Sequence, residues 1–359
     1  MTKIRLGIVG TGFGRYGLLP AFRRDPRCDV VSVAGSSPER VRHLAGDLNL
    51  PELYGDWREM LAQSNLDAVA VATPPEFQAT ILDNVIRQGK AVFAEKPLSL
   101  GLREAVRLND AASVSGLPNM VDFIFPELGT WQKLQRLLTQ GAIGTLRHVS
   151  LDWRMESYDA QHRITGWKTD SGRGGGVLQH FGSHSLHYLE LLFGQIETIT
   201  AEIQSAPGLQ QRGDSFVSLS LRFAEGFSAS VSLFNAATLN NTHQLEIYGS
   251  DGCLRLSNVS RDHVRGFELS MATRAASKYE TIAIESDFND SNGEDSRVEP
   301  VAHVATRFID WCLYGLHAKP SFQEGLRTVQ LTEICHRSDS LGRRLNVSDW
   351  IDRLVDEVR

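Results

Sequence analysis

The chain opens on a short apolar run, Ile4-Arg5-Leu6-Gly7-Ile8-Val9, that passes directly into Gly10-Thr11-Gly12-Phe13-Gly14-Arg15. Val30-Val31-Ser32-Val33-Ala34, Leu66–Ala72 and the run ending in Val92-Phe93 repeat the same short hydrophobic pattern. Continuous apolar runs of this length read as strands buried on both faces. Between them, about Arg15–Arg24, Phe77–Gln88 and Leu102–Ser113 carry helical spacing, the second closed by Gly89 as a C-terminal cap. With a last strand at Asn119–Phe125, this alternation predicts a doubly wound parallel α/β sheet.

The pattern then changes. A helix at Leu128–Thr139, stopped by Gly141, leads into strands expected at Thr145–Asp152, Ile196–Ile203, Ser215–Phe223, Phe227–Phe234, Leu245–Tyr248 and Cys253–Leu256. Serines alternate with apolar residues in Val217–Leu221 and Ser228–Leu233, so one face of this sheet is buried and the other is polar or faces a partner. One helix, about Val177–Leu192, interrupts the strands after Gly172-Arg173-Gly174-Gly175-Gly176, and amphipathic helices at His303–Leu316 and Phe322–Arg343 close the chain. Two domains are expected: 1–122 as a doubly wound α/β domain and 123–359 as an α+β domain with an open, mostly antiparallel sheet.

Composition narrows the function classes. With 359 residues, 42% hydrophobic and 22% charged, the chain is an ordinary globular one. A net charge of −6 gives no electrostatic footprint for nucleic acid. No apolar run approaches the roughly 20 residues that span a membrane. Cys28, Cys253, Cys312 and Cys335 are scattered, which suits reduced thiols and a cytoplasmic location.

Five stretches carry candidate chemistry. Gly10, Gly12, Phe13 and Gly14 stand between a strand and a helix, where glycine lets backbone N–H groups approach a pyrophosphate and the helix dipole faces it. The third glycine of the usual spacing falls at Arg15, with Gly14 one place early. After the second strand come Gly35, Ser36 and Ser37, then Arg40, with no acidic residue for a ribose 2′-hydroxyl; this favours NADP while tolerating NAD. Thr73, Pro74 and Pro75 end the third strand and would lie over the cofactor. Glu95-Lys96-Pro97 follows the next strand directly. Lys96 is there either a point charge for substrate or cofactor oxygens, or half of a solvated ion pair with Glu95. Finally, His180, His184 and His187 share one face of the helix after the three glycines. They read as a catalytic face, as structural histidines, or as a zinc site, the last disfavoured because no carboxylate or cysteine lies at ligand spacing.

In Ile8-Val9-Gly10-Thr11-Gly12, Ala72-Thr73-Pro74-Pro75 and above all Ala94-Glu95-Lys96-Pro97, the chain resembles the glucose–fructose oxidoreductase, inositol dehydrogenase and MocA (Gfo/Idh/MocA) family. The resemblance implies an NAD(P)-dependent oxidoreductase acting on a secondary alcohol or ketone of a sugar, cyclitol or nucleotide-linked sugar. It implies that Lys96 reaches the substrate hydroxyl, that a cis peptide precedes Pro97, and that the open sheet pairs subunits into a homo-oligomer. It places the catalytic histidine at His184 and an aspartate where this chain has His180. Arg163, Trp167 and Lys168 are the implied substrate contacts, Asp122 and Glu127 weaker ones, and Gln78 carries no catalytic role. The alternative is a cofactor-binding sensor or corepressor of the same fold that has lost turnover, suggested by the histidine at 180.

Overall fold

The computed structural model describes residues 3–39, 41–42, 52–206, 213–276, 278–284 and 294–358. The chain divides into two compact units, Met1–Ile124 with Asp290–Val329, and Phe125–Asn289 with Gln330–Arg359. The segment 290–329, which the sequence pattern groups with the second domain, therefore packs with the first.

The first unit is a six-stranded parallel sheet built from β1 (Ile4–Val9), β2 (Cys28–Ala34), β3 (Glu52–Tyr54), β4 (Ala68–Val71), β5 (Ala91–Ala94) and β6 (Asn119–Val121). Its order is β3-β2-β1-β4-β5-β6, so the chain reverses its direction of growth between β1 and β4. The apolar runs become strands because both faces are covered: every residue of β4 and β5 is buried. β3 and the helix Trp57–Gln63 escaped the pattern, the strand because it is three half-buried residues long. β6 is shorter than the expected Asn119–Phe125. Pro126, with no N–H to donate, follows in a tight turn at Phe125–Glu127.

The helix α1 (Leu19–Arg23) and a tail helix, Val298–Tyr314, explain why the tail belongs here. Phe22, Phe93 and Phe308 meet edge to face, at centroid separations of 5.2, 5.7 and 6.2 Å, and all three are fully buried. Such pairs add about 0.5–1.5 kcal/mol each to their burial. Beside β6, the Val121 N–H donates to Pro320 O and the Phe322 N–H to Asn119 Oδ1, so the tail also completes the sheet's edge.

The second unit is a nine-stranded sheet with β7 (Leu146–Glu156), β8 (Ile196–Gln204), β9 (Phe216–Phe223), β10 (Ser228–Phe234), β11 (Ala236–Gly249), β12 (Gly252–Asn258), β13 (Glu268–Thr273), β14 (Glu280–Thr281) and β15 (Leu345–Asn346). All neighbours run antiparallel except β7 and β10. The expected alternation holds. Val217, Leu219, Leu221, Val231 and Leu233 are buried, while Ser218, Ser220, Ser228, Ser230 and Ser232 lie on the opposite face. Ser338 accepts the Ala201 N–H and donates to Arg343 O, docking the helix Phe322–Leu341 onto β8.

Candidate active site

In the first unit, Gly10 sits at the carboxyl end of β1 with φ +117°, donates its N–H to Ala34 O, and has no room for a side chain: a Cβ would lie 2.1 Å from Ala72 O. Only glycine fits there. Gly12, by contrast, faces open space. The Arg15 and Tyr16 N–H groups both donate to Gly12 O and start the helix. Its first turn, Gly14–Leu18, is a wide π turn before α1 takes over at Leu19. That turn accounts for the displaced third glycine. Gly14 takes the close-packing role, since a Cβ there would press Ile8 Cγ2 at 3.0 Å, and Gly17 packs under the Phe13 ring. Thr73 Oγ1, just past β4, is buried with no hydrogen-bond partner among the described residues. A backbone cradle with no Cβ, an open approach at Gly12 and an orphaned hydroxyl fit a dinucleotide. At the end of β2, Ser36 is exposed and Ser37 half-buried; Arg40 lies outside the described residues.

Two strands along, the Glu95 N–H donates to Val71 O, and the Lys96 N–H to Glu95 Oε2 at 3.1 Å. The Lys96–Pro97 bond is cis. The sequence gives no signal for what holds this turn. Gln78, from the helix Pro75–Arg87, donates its amide to Glu95 O at 2.5 Å and Pro97 O at 2.7 Å. Its side chain is 1% exposed, so it is a buried clamp on the lysine turn rather than a reacting group. Removal from water raises the Glu95 carboxyl above its ordinary value; Lys96, a hydrogen bond with Asp122 and the charge of Arg297 pull it back. Asp122 is buried at the end of β6, its N–H on Ala94 O.

In the second unit the glycines form a folded loop. The Gly175 N–H donates to Asp170 O and the Gly176 N–H to Lys168 O, and a Cβ on Gly175 would lie 2.4 Å from Trp167 O. Gly176, at φ +109°, packs directly against Asp214. The Asp214 carboxylate accepts the Leu178 N–H at 2.7 Å, and its backbone O accepts the Val177 N–H. It thereby caps the helical stretch that carries the histidines. Burial raises the Asp214 carboxyl, with the helix N–H bonds and His336 opposing. Here again the first turn, Leu178–Gly182, is a π turn, followed by the helix Ser183–Phe193.

His180 is half-buried with its ring 5.3 Å from that of Trp167, and Lys168 Nζ lies 5.9 Å from the same indole. His184 is 8% exposed and meets Phe125 edge to face at 4.9 Å. The structure thus brings Trp167, Lys168 and His180 together and sets His184 in a buried aromatic group. In that group Trp153 stacks on Phe181 at 4.4 Å and on His243 at 4.0 Å. Trp153 is part of the buried core. Arg163 stands exposed with φ +52° after the short helix Tyr158–His162. Glu127 is 7% exposed. Among the described residues no three His, Cys, Asp or Glu side chains are grouped as a metal site.

Comparison with known proteins gives the affiliation. The profile of the oxidoreductase family with an NAD-binding Rossmann fold (GFO/IDH/MocA) matches residues 4–123, and that of the GFO/IDH/MocA C-terminal domain matches residues 131–255. An uncharacterized oxidoreductase of Synechocystis is 26% identical, covering 99% of this chain and 100% of its own. The inositol 2-dehydrogenase of Rhizobium meliloti is 24% identical over 96% of this chain and 99% of its own. A levoglucosan dehydrogenase solved with NADH and L-sorbose superimposes with a TM-score of 0.84 at 20% identity, covering 97% of this chain and 99% of that one. The chain therefore belongs to the GFO/IDH/MocA family of NAD-binding oxidoreductases.

Proposed function

We propose that this protein is a dehydrogenase that exchanges a hydride between a nicotinamide dinucleotide and a ring carbinol of a sugar or cyclitol. The observation that carries the reading is Lys96, at the carboxyl edge of the sheet that holds Gly10, two strands along the order β1-β4-β5. Ligands of open parallel sheets bind outside that edge, where the strand order reverses.

The dinucleotide, when bound, supplies the hydride acceptor or donor at nicotinamide C4. Gly10, Gly12, Phe13 and Gly14 present backbone to its phosphates, Thr73 and Pro74 border it, and Glu95 backs the lysine turn. Ser36, Ser37 and Arg40 take the adenosine ribose. With no carboxylate at Ala34–Ser37, a 2′-phosphate is tolerated there, and NADP is the proposed preference. Lys96 holds the reacting oxygen as a point charge, and His184 takes its proton on oxidation or returns one on reduction. His180 and Trp167 offer a ring edge and an aromatic face to the substrate ring, with Lys168 and Arg163 as donors to its hydroxyls. The inositol and levoglucosan dehydrogenases support a polyhydroxylated ring as substrate class. The polar face bearing Ser218, Ser220, Ser228 and Ser230 is the proposed pairing surface of a homo-oligomer.

The test is a panel of cyclitols, pyranoses and anhydrosugars incubated with NAD⁺ and NADP⁺, followed by nicotinamide absorbance. Turnover of at least one ring polyol, lost in Lys96→Met, is expected. Turnover of acyclic alcohols alone, or full activity in Lys96→Met, contradicts the reading.

A further inference from the structure

Arg297 comes from the tail, one residue before the helix Val298–Tyr314, and lies within the first unit. Its guanidinium is fixed edge-on by Asp295. Nε donates to Oδ1 at 2.8 Å and Nη2 to Oδ2 at 2.6 Å, while the Arg297 N–H also reaches Oδ1. This bidentate grip sets the plane of the fork. The plane lies over the Phe13 ring, with Cζ 4.4 Å from its centroid. Phe13 is the residue between Gly12 and Gly14, and its ring also lies close to Gly17, where a Cβ would come within 2.3 Å of it. The ring of the phosphate loop therefore packs close to a glycine and under a cation.

The same guanidinium also interacts with the charges of two carboxyl groups, Glu95 and Asp122. Burial works against the charge on Arg297, and Asp295, Glu95 and Asp122 together outweigh it. Glu95 accepts the Lys96 N–H, and Asp122 is joined to β5 through Ala94 O. One side chain thus touches the phosphate loop directly and interacts electrostatically with the turn that carries Lys96. Neither the glycine spacing nor the Glu-Lys-Pro motif contains it, for it lies 284 positions beyond Phe13 (297 − 13).

We propose that Arg297 is a positioning residue of the dinucleotide site, holding the Gly10–Gly14 loop through the Phe13 ring so that the loop is preformed for the cofactor. The inference rests on the dinucleotide reading above. A cation over a ring is attracted by the ring's quadrupole, and a bidentate charge pair adds geometric specificity. Dinucleotide affinity carries this directly, because a loop that is not held must be ordered when the ligand binds.

The test is NADH and NADPH titration by nicotinamide fluorescence on the full chain, for wild type, Arg297→Gln, Arg297→Lys, Phe13→Leu and the double variant Phe13→Leu/Arg297→Gln, with apo thermal unfolding alongside. Arg297→Gln is expected to weaken binding about tenfold per folded molecule. Arg297→Lys, which keeps the charge but loses the planar fork, is expected to recover part of this. Phe13→Leu and Arg297→Gln are expected to be non-additive, as residues in contact are. A purely structural role would lower the unfolding temperature and leave the Kd of the folded fraction unchanged, which would overturn the proposal. If Arg297→Gln does not fold, Arg297→Lys and Phe13→Leu decide: both binding within twofold of wild type overturns it. Wild type that binds neither dinucleotide defeats the cofactor reading itself, a separate result.

Discussion

The two glycine-rich turns of this chain solve the same problem with different materials. Each leads from a loop into a π turn, Gly14–Leu18 in one unit and Leu178–Gly182 in the other, and each π turn opens a helix. Wide turns of this kind are rare and concentrate at functional sites. At the first, the backbone does the holding: Gly10 has no space for a side chain, and Gly14 and Gly17 let Ile8 and Phe13 pack close. At the second, a side chain does it. Asp214, 36 residues away from Leu178, plugs the start of the histidine helix. A site made of backbone is fixed by which residues are glycine; a site made of a distant carboxylate depends on a residue that can be replaced and retested. The first suits a ligand that every turnover shares. The second suits the part of the reaction that differs between substrates.

Substitutions can break that contrast. Lys96→Met and His184→Ala are expected to have the largest effect, a drop in kcat of about 10²–10⁴, the usual range for a positioned acid–base group. His184→Ala is expected to leave the dinucleotide Kd within twofold. Next, Asp214→Ala removes a charged acceptor from a buried N–H and is expected to cost about 2 kcal/mol, measured by urea unfolding, with kcat lowered at the same time. Asp214→Asn keeps an oxygen on the Leu178 N–H and is expected to recover most of both. The pH dependence separates them further. Burial raises the Asp214 carboxyl above its ordinary 3.8, so the native state holds this proton longer than the unfolded chain. The proton-linked part of the Asp214 contribution to stability is full below that ordinary value and lost as pH rises through the raised one, while the Leu178 N–H bond remains. Asp214→Asn is expected to flatten this decline in a pH series of unfolding midpoints.

A similar cost is expected for Gln78→Leu, which leaves the Glu95 and Pro97 carbonyls without their donor: about 1–3 kcal/mol of stability, with Lys96-dependent turnover reduced as the turn loosens. The smallest effect is a chemical one. Burial pushes the thiols of Cys28, Cys312 and Cys335 up to about 12, so all three stay protonated near neutral pH. A thiol reagent at neutral pH is expected to reach the half-buried Cys253 and Cys312 before the buried Cys28 and Cys335, which react only with unfolding. Cys28 then reports on the first unit and Cys335 on the second, which shows whether the two melt together.

How much of this could be read from the sequence also differs between the two turns. Gly10-Thr11-Gly12, the buried runs and Ala94-Glu95-Lys96-Pro97 are local patterns, and they place β1, β4 and β5 correctly with their edge. β3 was invisible because three half-buried residues carry no periodicity. Gln78, Asp214 and Arg297 were invisible for another reason: each acts on a segment that is distant in sequence, and nothing in its own neighbourhood marks it. The tail helix was legible as a helix, but its allegiance to the first unit rests on Phe308 meeting Phe22 and Phe93. The histidine spacing is legible as one helix face, but the ring neighbours are not: Trp167 lies beside His180 and Phe125 beside His184.

The most direct measurement is an NADH titration of wild type beside Gly10→Ala and His184→Ala, with folding checked by circular dichroism. Gly10→Ala must push a Cβ toward Ala72 O and is expected to lose binding by more than about 100-fold, whereas His184→Ala is expected to bind as wild type does. Binding retained in Gly10→Ala, or lost equally in His184→Ala, would contradict the assignment of cofactor holding to the first unit and proton exchange to the second.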